Sequence, residues 1–126
     1  MNNPAGTAAT ETARAVVLGH LEAFNQHNSA RLLAGFTADA SWTTGQYFVT
    51  GRDGIADLFD AWLWQLQPSL TVMTVIAQHD AVAVELIEEL VVDGGPHRYS
   101  IAAFFRLKGG LISAAKVYRE GMATIE

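Results

Sequence analysis

The chain contains no cysteine. That absence excludes a disulfide framework and any thiolate metal site, and it suits a reducing cytoplasm. Basic residues are few, eight Lys and Arg against thirteen Asp and Glu, for a formal net charge of −5. They lie scattered, so no basic stripe supports binding to nucleic acid or to an anionic membrane surface. No apolar run approaches the roughly 20 residues of a membrane span. Met1 to Thr10 lack the basic start and apolar stretch of a secretory leader. The expected setting is cytoplasmic, with neither nucleic acid nor membrane as partner. His27, His79 and His97 show no ligand spacing, so no metal is expected. Gly51-Arg52-Asp53-Gly54 lacks the Lys-Ser/Thr ending of a phosphate loop, and no serine sits in a nucleophile elbow. No cofactor is expected either.

What remains is apolar: half of the 126 residues, enough for one domain with one core. Residues 1–10, with Pro4 and Gly6, read as a disordered tail, and residues 11–126 as the domain. Thr10 can cap a first helix whose Ala13, Val17, His20, Leu21 and Phe24 fall on one stripe. Ser29 caps a shorter helix through Phe36. Ala40 to Val49 is β-rich and broken at Gly45, an irregular strand pair. After Gly51–Gly54, a third helix repeats Ile55, Leu58, Phe59, Trp62, Leu63 and Leu66 at intervals of three and four, until Pro68 stops it. Strands follow over Leu70–Ala77 and Ala81–Val92. The chain then closes on a hairpin turning at Lys108-Gly109-Gly110, where paired glycines accept positive φ. The fold class is α+β, three N-terminal helices packed in the hollow of a curved antiparallel sheet, a cone.

Period-two alternation sorts the strand faces. Glu85, Glu89, Arg98, Arg106, Lys116 and Glu120 share one face, a mixture suited to solvent or to a polar dimer contact. The opposite face carries Val82, Val84, Leu86, Leu90, Ile101, Phe105, Leu111, Ser113 and Val117, interrupted only by Glu88, Tyr99 and Arg119 as large polar residues. A carboxylate in a low-dielectric hollow costs several kcal/mol unless it is paired or protonated. Glu88 therefore needs a partner, and Arg119 is the obvious one; the alternative is a solvated Glu88 at the rim.

The order of elements resembles the nuclear transport factor 2-like superfamily, in its SnoaL-like branch. The resemblance spans residues 12 to 121. It rests on Phe24-Asn25-Gln26-His27-Asn28, on Phe36-Thr37-Ala38-Asp39-Ala40-Ser41-Trp42, on Gly51-Arg52-Asp53-Gly54-Ile55 and on Lys116-Val117-Tyr118-Arg119-Glu120. It implies a cone-shaped fold that hosts isomerases, cyclases, epoxide hydrolases and noncatalytic binding modules alike. Ketosteroid isomerases use an Asp base with Tyr and protonated Asp as oxyanion donors; the resembling positions are Thr44, His20 and Ala103. Limonene-epoxide-hydrolase-like enzymes use an Asp-Arg-Asp set, resembled here by Glu88, Leu86 and Val117 with Trp42 and Thr44 nearby. The catalytic Asp of SnoaL-like cyclases again falls near Val117. Of these carboxylates only Glu88 persists.

Glu88 and His20 are therefore the candidate catalytic residues, as proton-transfer groups. His20 reads more readily as a core histidine bonded to a hydroxyl or carbonyl. Trp42, Thr44, Phe59, Trp62, Tyr99 and Arg119 are the candidate ligand-binding residues, although aromatics at these spacings are more often plain core. Trp64, off the apolar stripe, marks a dimer surface or a pocket mouth. The expected partners are an apolar small molecule and a second copy of the chain, joined through the outer sheet face. Two functional readings stand: a cofactor-independent isomerase, cyclase or hydrolase using Glu88 as acid/base, or a noncatalytic binding or accessory domain.

Overall fold

The computed structural model describes residues 4–120; residues 1–3 of the expected tail and 121–126 of the expected domain lie outside the described residues. The elements are α1 (Pro4–Asn25), α2 (Ser29–Ala34), β1 (Phe36–Thr44), β2 (Tyr47–Thr50), α3 (Gly51–Ala61), a 3₁₀ turn (Leu63–Leu66), β3 (Ser69–Gln78), β4 (Ala81–Val92), β5 (Gly95–Lys108) and β6 (Leu111–Glu120). α1 starts earlier than expected. Proline is preset for a first helical turn, and Ala8 and Ala9 are strong helix formers, so the tail is helical from residue 4. Thr10 is no cap. It lies inside α1, and its hydroxyl accepts from the His79 N–H at 2.8 Å, tying the helix to the turn between β3 and β4.

The cap of α2 is Asn28 rather than Ser29: its side-chain oxygen accepts from the Arg31 N–H at 3.1 Å. That shift frees Ser29, which donates to Asp60 at 2.6 Å and accepts from the Trp64 indole at 2.7 Å. α2 ends at Ala34, so Phe36 opens β1 instead of closing the helix.

The six strands form one sheet in the order β2-β1-β6-β5-β4-β3. Every neighbouring pair is antiparallel except β1 with β6, which run parallel. The four-strand run β3–β6 is antiparallel as expected, and the parallel pair arises because the chain leaves α2 beside the start of β6, where the Ile112 N–H donates to Gly35 O at 2.8 Å. The final hairpin turns at Gly109 and Gly110, with φ of 60° and 79°.

Most of the expected inner face is buried, including Val82, Val84, Leu86, Ile101, Phe105 and Val117. The exception lies in β6. Arg106 pairs with Ala114 but Leu107 pairs with Ile112, so Ser113 is an extra residue, a β-bulge. The bulge reverses the facing before it, burying Ile112 and leaving Leu111 only half-buried. The helices fill the hollow through Val17, Leu32, Ile55 and Phe59, against Phe36 and Phe105.

Candidate functional site

Packing between helices and sheet leaves a cavity of about 310 Å³. Its sheet wall includes Ala103 and Val117, too small to close the hollow, while Leu21, Leu58 and Leu63 line the opposite side. The two titratable side chains that the sequence singled out as catalytic, Glu88 and His20, both line it.

β4 alternation turns Glu88 inward between Leu86 and Leu90, and it is 3% exposed. Arg119 answers it from β6, two strands away, with Nε at 3.0 Å and a terminal nitrogen at 2.7 Å from the same oxygen, Oε1. Both bonds land on Oε1, so Oε2 makes no hydrogen bond among the described residues. Arg119 also lies 5.7 Å over the Tyr99 ring, and Tyr99 is the register partner of Glu88 on β5. The guanidinium is thus held from below by an aromatic face and from the side by a carboxylate. With its side chain 35% exposed, Arg119 stands toward solvent.

His20 is 5% exposed. Its ring packs on Phe36 (centroids 5.5 Å), Trp42 (5.9 Å) and Phe105 (5.3 Å). Its Nδ1 is sealed from solvent without a hydrogen-bond partner among the described residues. The hydroxyl or carbonyl partner of a structural core histidine is therefore missing. Burial pushes its pKa down from 6.5 to about 4, so the ring is neutral at pH 7.

Glu88 and His20 do not sit together. Glu88 faces Tyr99 on β5, whereas His20 packs on Phe105. Six residues of strand separate those positions, about 20 Å of extended chain. Both nevertheless line the same cavity.

Trp42, Thr44, Tyr99 and Arg119 also line the cavity. Phe59 and Trp62 do not, which corrects both assignments. Phe59 is 1% exposed and locked edge-on between Phe24 and Trp42. Trp62 is 69% exposed. α3 stops at Ala61, and Trp62 takes φ −127°, ψ −62° before the 3₁₀ turn, which breaks the helical phase that pointed it inward. The same break swings Trp64 inward, onto Phe24 and Phe59 and into its bond with Ser29. Replacing Trp62 with alanine should therefore leave chemical-denaturation stability within about 0.5 kcal/mol of the parent; a loss of several kcal/mol would return Trp62 to the core.

Sequence reasoning missed Tyr47, which is 65% exposed yet lines the cavity and so stands at its mouth. Its signal was available. A two-residue turn at Gly45-Gln46 pairs Tyr47 with Thr44, placing both on one face. Asn25 and His27 belong instead to the frame: Asn25 bonds both the N–H and the C=O of Leu70, and the His27 Nε2–H donates to Pro68 O at 2.8 Å.

The SnoaL-like domain model matches residues 17–115. The chain belongs to the SnoaL-like family. No curated protein matches it. Solved structures with the same fold include a candidate ketosteroid isomerase from Kribbella flavida, at TM-score 0.80 and 20% identity, covering 93% of this chain and 84% of that one. An epoxide hydrolase of limonene-epoxide-hydrolase type from M. tuberculosis matches at TM-score 0.80 and 17% identity, over 88% and 84%. SalBIII, an epoxide hydrolase/cyclase-like enzyme of pyran ring formation in the polyether salinomycin, matches at TM-score 0.80 and 18% identity, over 87% and 92%. At such identities the likeness establishes the SnoaL-like cone fold alone. Among the described residues no helix is long and apolar enough to cross a membrane.

Proposed function

We propose that this SnoaL-like domain binds a small apolar molecule and transforms it without a cofactor, by isomerisation, cyclisation or hydrolysis, with Glu88 as the acid/base. One observation carries the reading: a carboxylate stands inside an apolar cavity with one oxygen fixed by Arg119 and the other unengaged. Oε2 would take a proton from a carbon acid, or from a water attacking an epoxide carbon. Arg119 lies beside it to offset negative charge that develops on the substrate oxygen. Water is kept scarce by leucine walls, which strengthens both effects. Trp42, Thr44 and Tyr99 would shape and hold the ligand, and Tyr47 would contact it at the mouth.

A noncatalytic ligand-binding domain is the second reading. It is favoured by Thr44, Ala103 and Val117, which line the cavity where the resembling enzymes carry carboxylates. Incubating the protein with a panel of apolar epoxides and cyclic ketones, in water and in D₂O, separates the readings. Conversion, or deuterium uptake at the carbon next to a ketone, is the result expected of the enzyme. Calorimetric binding with neither change would leave the binding domain, and no binding at all would sink both. The homodimer we propose uses the outer sheet face, where Ile76, Phe104 and Tyr118 stand exposed among the charged residues.

A further inference from the structure

His20 lines the cavity in contact with Trp42 and Phe105, and the acid/base reading leaves it unused. A neutral imidazole has one N–H and one lone pair, and which nitrogen holds the proton is set by what each nitrogen faces. Nδ1 is sealed without a partner among the described residues, and the ring packs on Phe36, Trp42 and Phe105. Phe36 stands at 89° to the imidazole and Phe105 at 62°, both in edge arrangements. An N–H directed at π density is weakly attractive, whereas a lone pair directed at the same density is repelled. A proton on Nδ1 suits aromatic surroundings better than a lone pair would. In that tautomer Nε2 keeps the lone pair, and Nδ1 is the sealed nitrogen of the two.

We propose that His20 Nε2 accepts a hydrogen bond from a ligand hydroxyl, so that the molecule this cavity takes is a neutral, mostly apolar alcohol or phenol. The proposal rests on the cavity being a ligand site, and it adds what the ligand must carry where it meets His20. A ketone, ether or epoxide oxygen offers only lone pairs and would face the lone pair of Nε2. A carboxylate would do the same and add a negative charge. The charges of Glu88 and Arg119 already cancel across 2.7 Å, and His20 is neutral at pH 7, so these groups leave no positive charge to receive it. The size is also bounded. Water takes about 30 Å³ in the liquid, so a cavity of about 310 Å³ holds about ten water-sized groups, the scale of a ten-carbon bicyclic alcohol.

Three probes share one bicyclic body and differ at one oxygen: borneol (hydroxyl), camphor (ketone) and bornane (neither). Titration calorimetry should show borneol binding roughly fivefold tighter than bornane, the weight of one net hydrogen bond. Camphor should gain nothing over bornane. His20→Phe, which keeps a ring of similar size and removes both nitrogens, should bind borneol and bornane equally. Nitrogen NMR of the unmodified protein gives the same answer without a variant: the free protein should carry its proton on Nδ1, and the Nε2 resonance should move with borneol and stay with bornane. Bornane bound as tightly as borneol, a preference for camphor, or a proton found on Nε2 would each overturn the assignment while leaving the cavity a ligand site. If none of the three binds, this proposal and the ligand-site reading fall together.

Discussion

Glu88→Gln is expected to lower the turnover number on any substrate the protein converts by about 10²–10⁴-fold, the usual weight of a positioned acid/base. KM should change little. Glutamine keeps the shape of glutamate and keeps a carbonyl oxygen for Arg119, which donates both of its bonds to a single oxygen in the parent. What is lost is the second oxygen as proton acceptor. Because the variant leaves the ligand-facing leucine walls and Arg119 in place, the loss should fall on kcat. Steady-state kinetics on parent and variant, with calorimetry of the same ligand, separate the two parameters. A variant that turns over at the parental rate would strip Glu88 of its chemical role. The pair would then be only a tie between β4 and β6.

The second large effect is acid instability originating at His20. Its pKa is about 4 in the folded chain against 6.5 for an ordinary histidine, because burial among aromatic rings disfavours the cation. Between those values the unfolded chain binds a proton that the folded chain refuses. Stability from this group is therefore fully present above pH 6.5 and is lost as pH falls from 6.5 toward 4. A shift of that size corresponds to about 3 kcal/mol, a large share of the 5–15 kcal/mol typical of a domain. Denaturant unfolding at pH 7.5 and at pH 4.5 measures it. The carboxylates titrate in the lower part of this window as well, so the deciding comparison is with His20→Phe. The variant should lose markedly less stability on acidification. Parallel losses in parent and variant would mean that the buried ring is not the group being charged.

Much of this arrangement could be read from residue order because it depends on local periodicity. Alternation along Val82–Leu90 turns Glu88 inward with Leu86 and Leu90, and alternation along the last strand does the same for Arg119. Two glycines at 109 and 110 announce the closing turn, since glycine takes positive φ at little cost. Helical spacing puts His20 on the buried stripe of α1. Periodicity fails where an element ends early or gains a residue. Trp62 lies inward only if α3 continues, and one irregular residue after Ala61 exchanges it with Trp64. Ser113 inverts Leu111 and Ile112 in the same manner.

Residue order alone determined the α+β class, the histidine on the first helix, and the scarcity of basic and thiol chemistry; it offered an inward Glu88 paired with Arg119, with a solvated Glu88 as the alternative. Those follow from side-chain types at periods of two and near four, which act over a few residues. Tertiary structure decided the parallel seating of β1 on β6, the inward facing of Glu88, the cavity over Ala103 and Val117, and the burial of His20 Nδ1. Each of these depends on residues far apart in the chain meeting at a fixed register, and no local spacing encodes where a bulge or a broken helix will set that register.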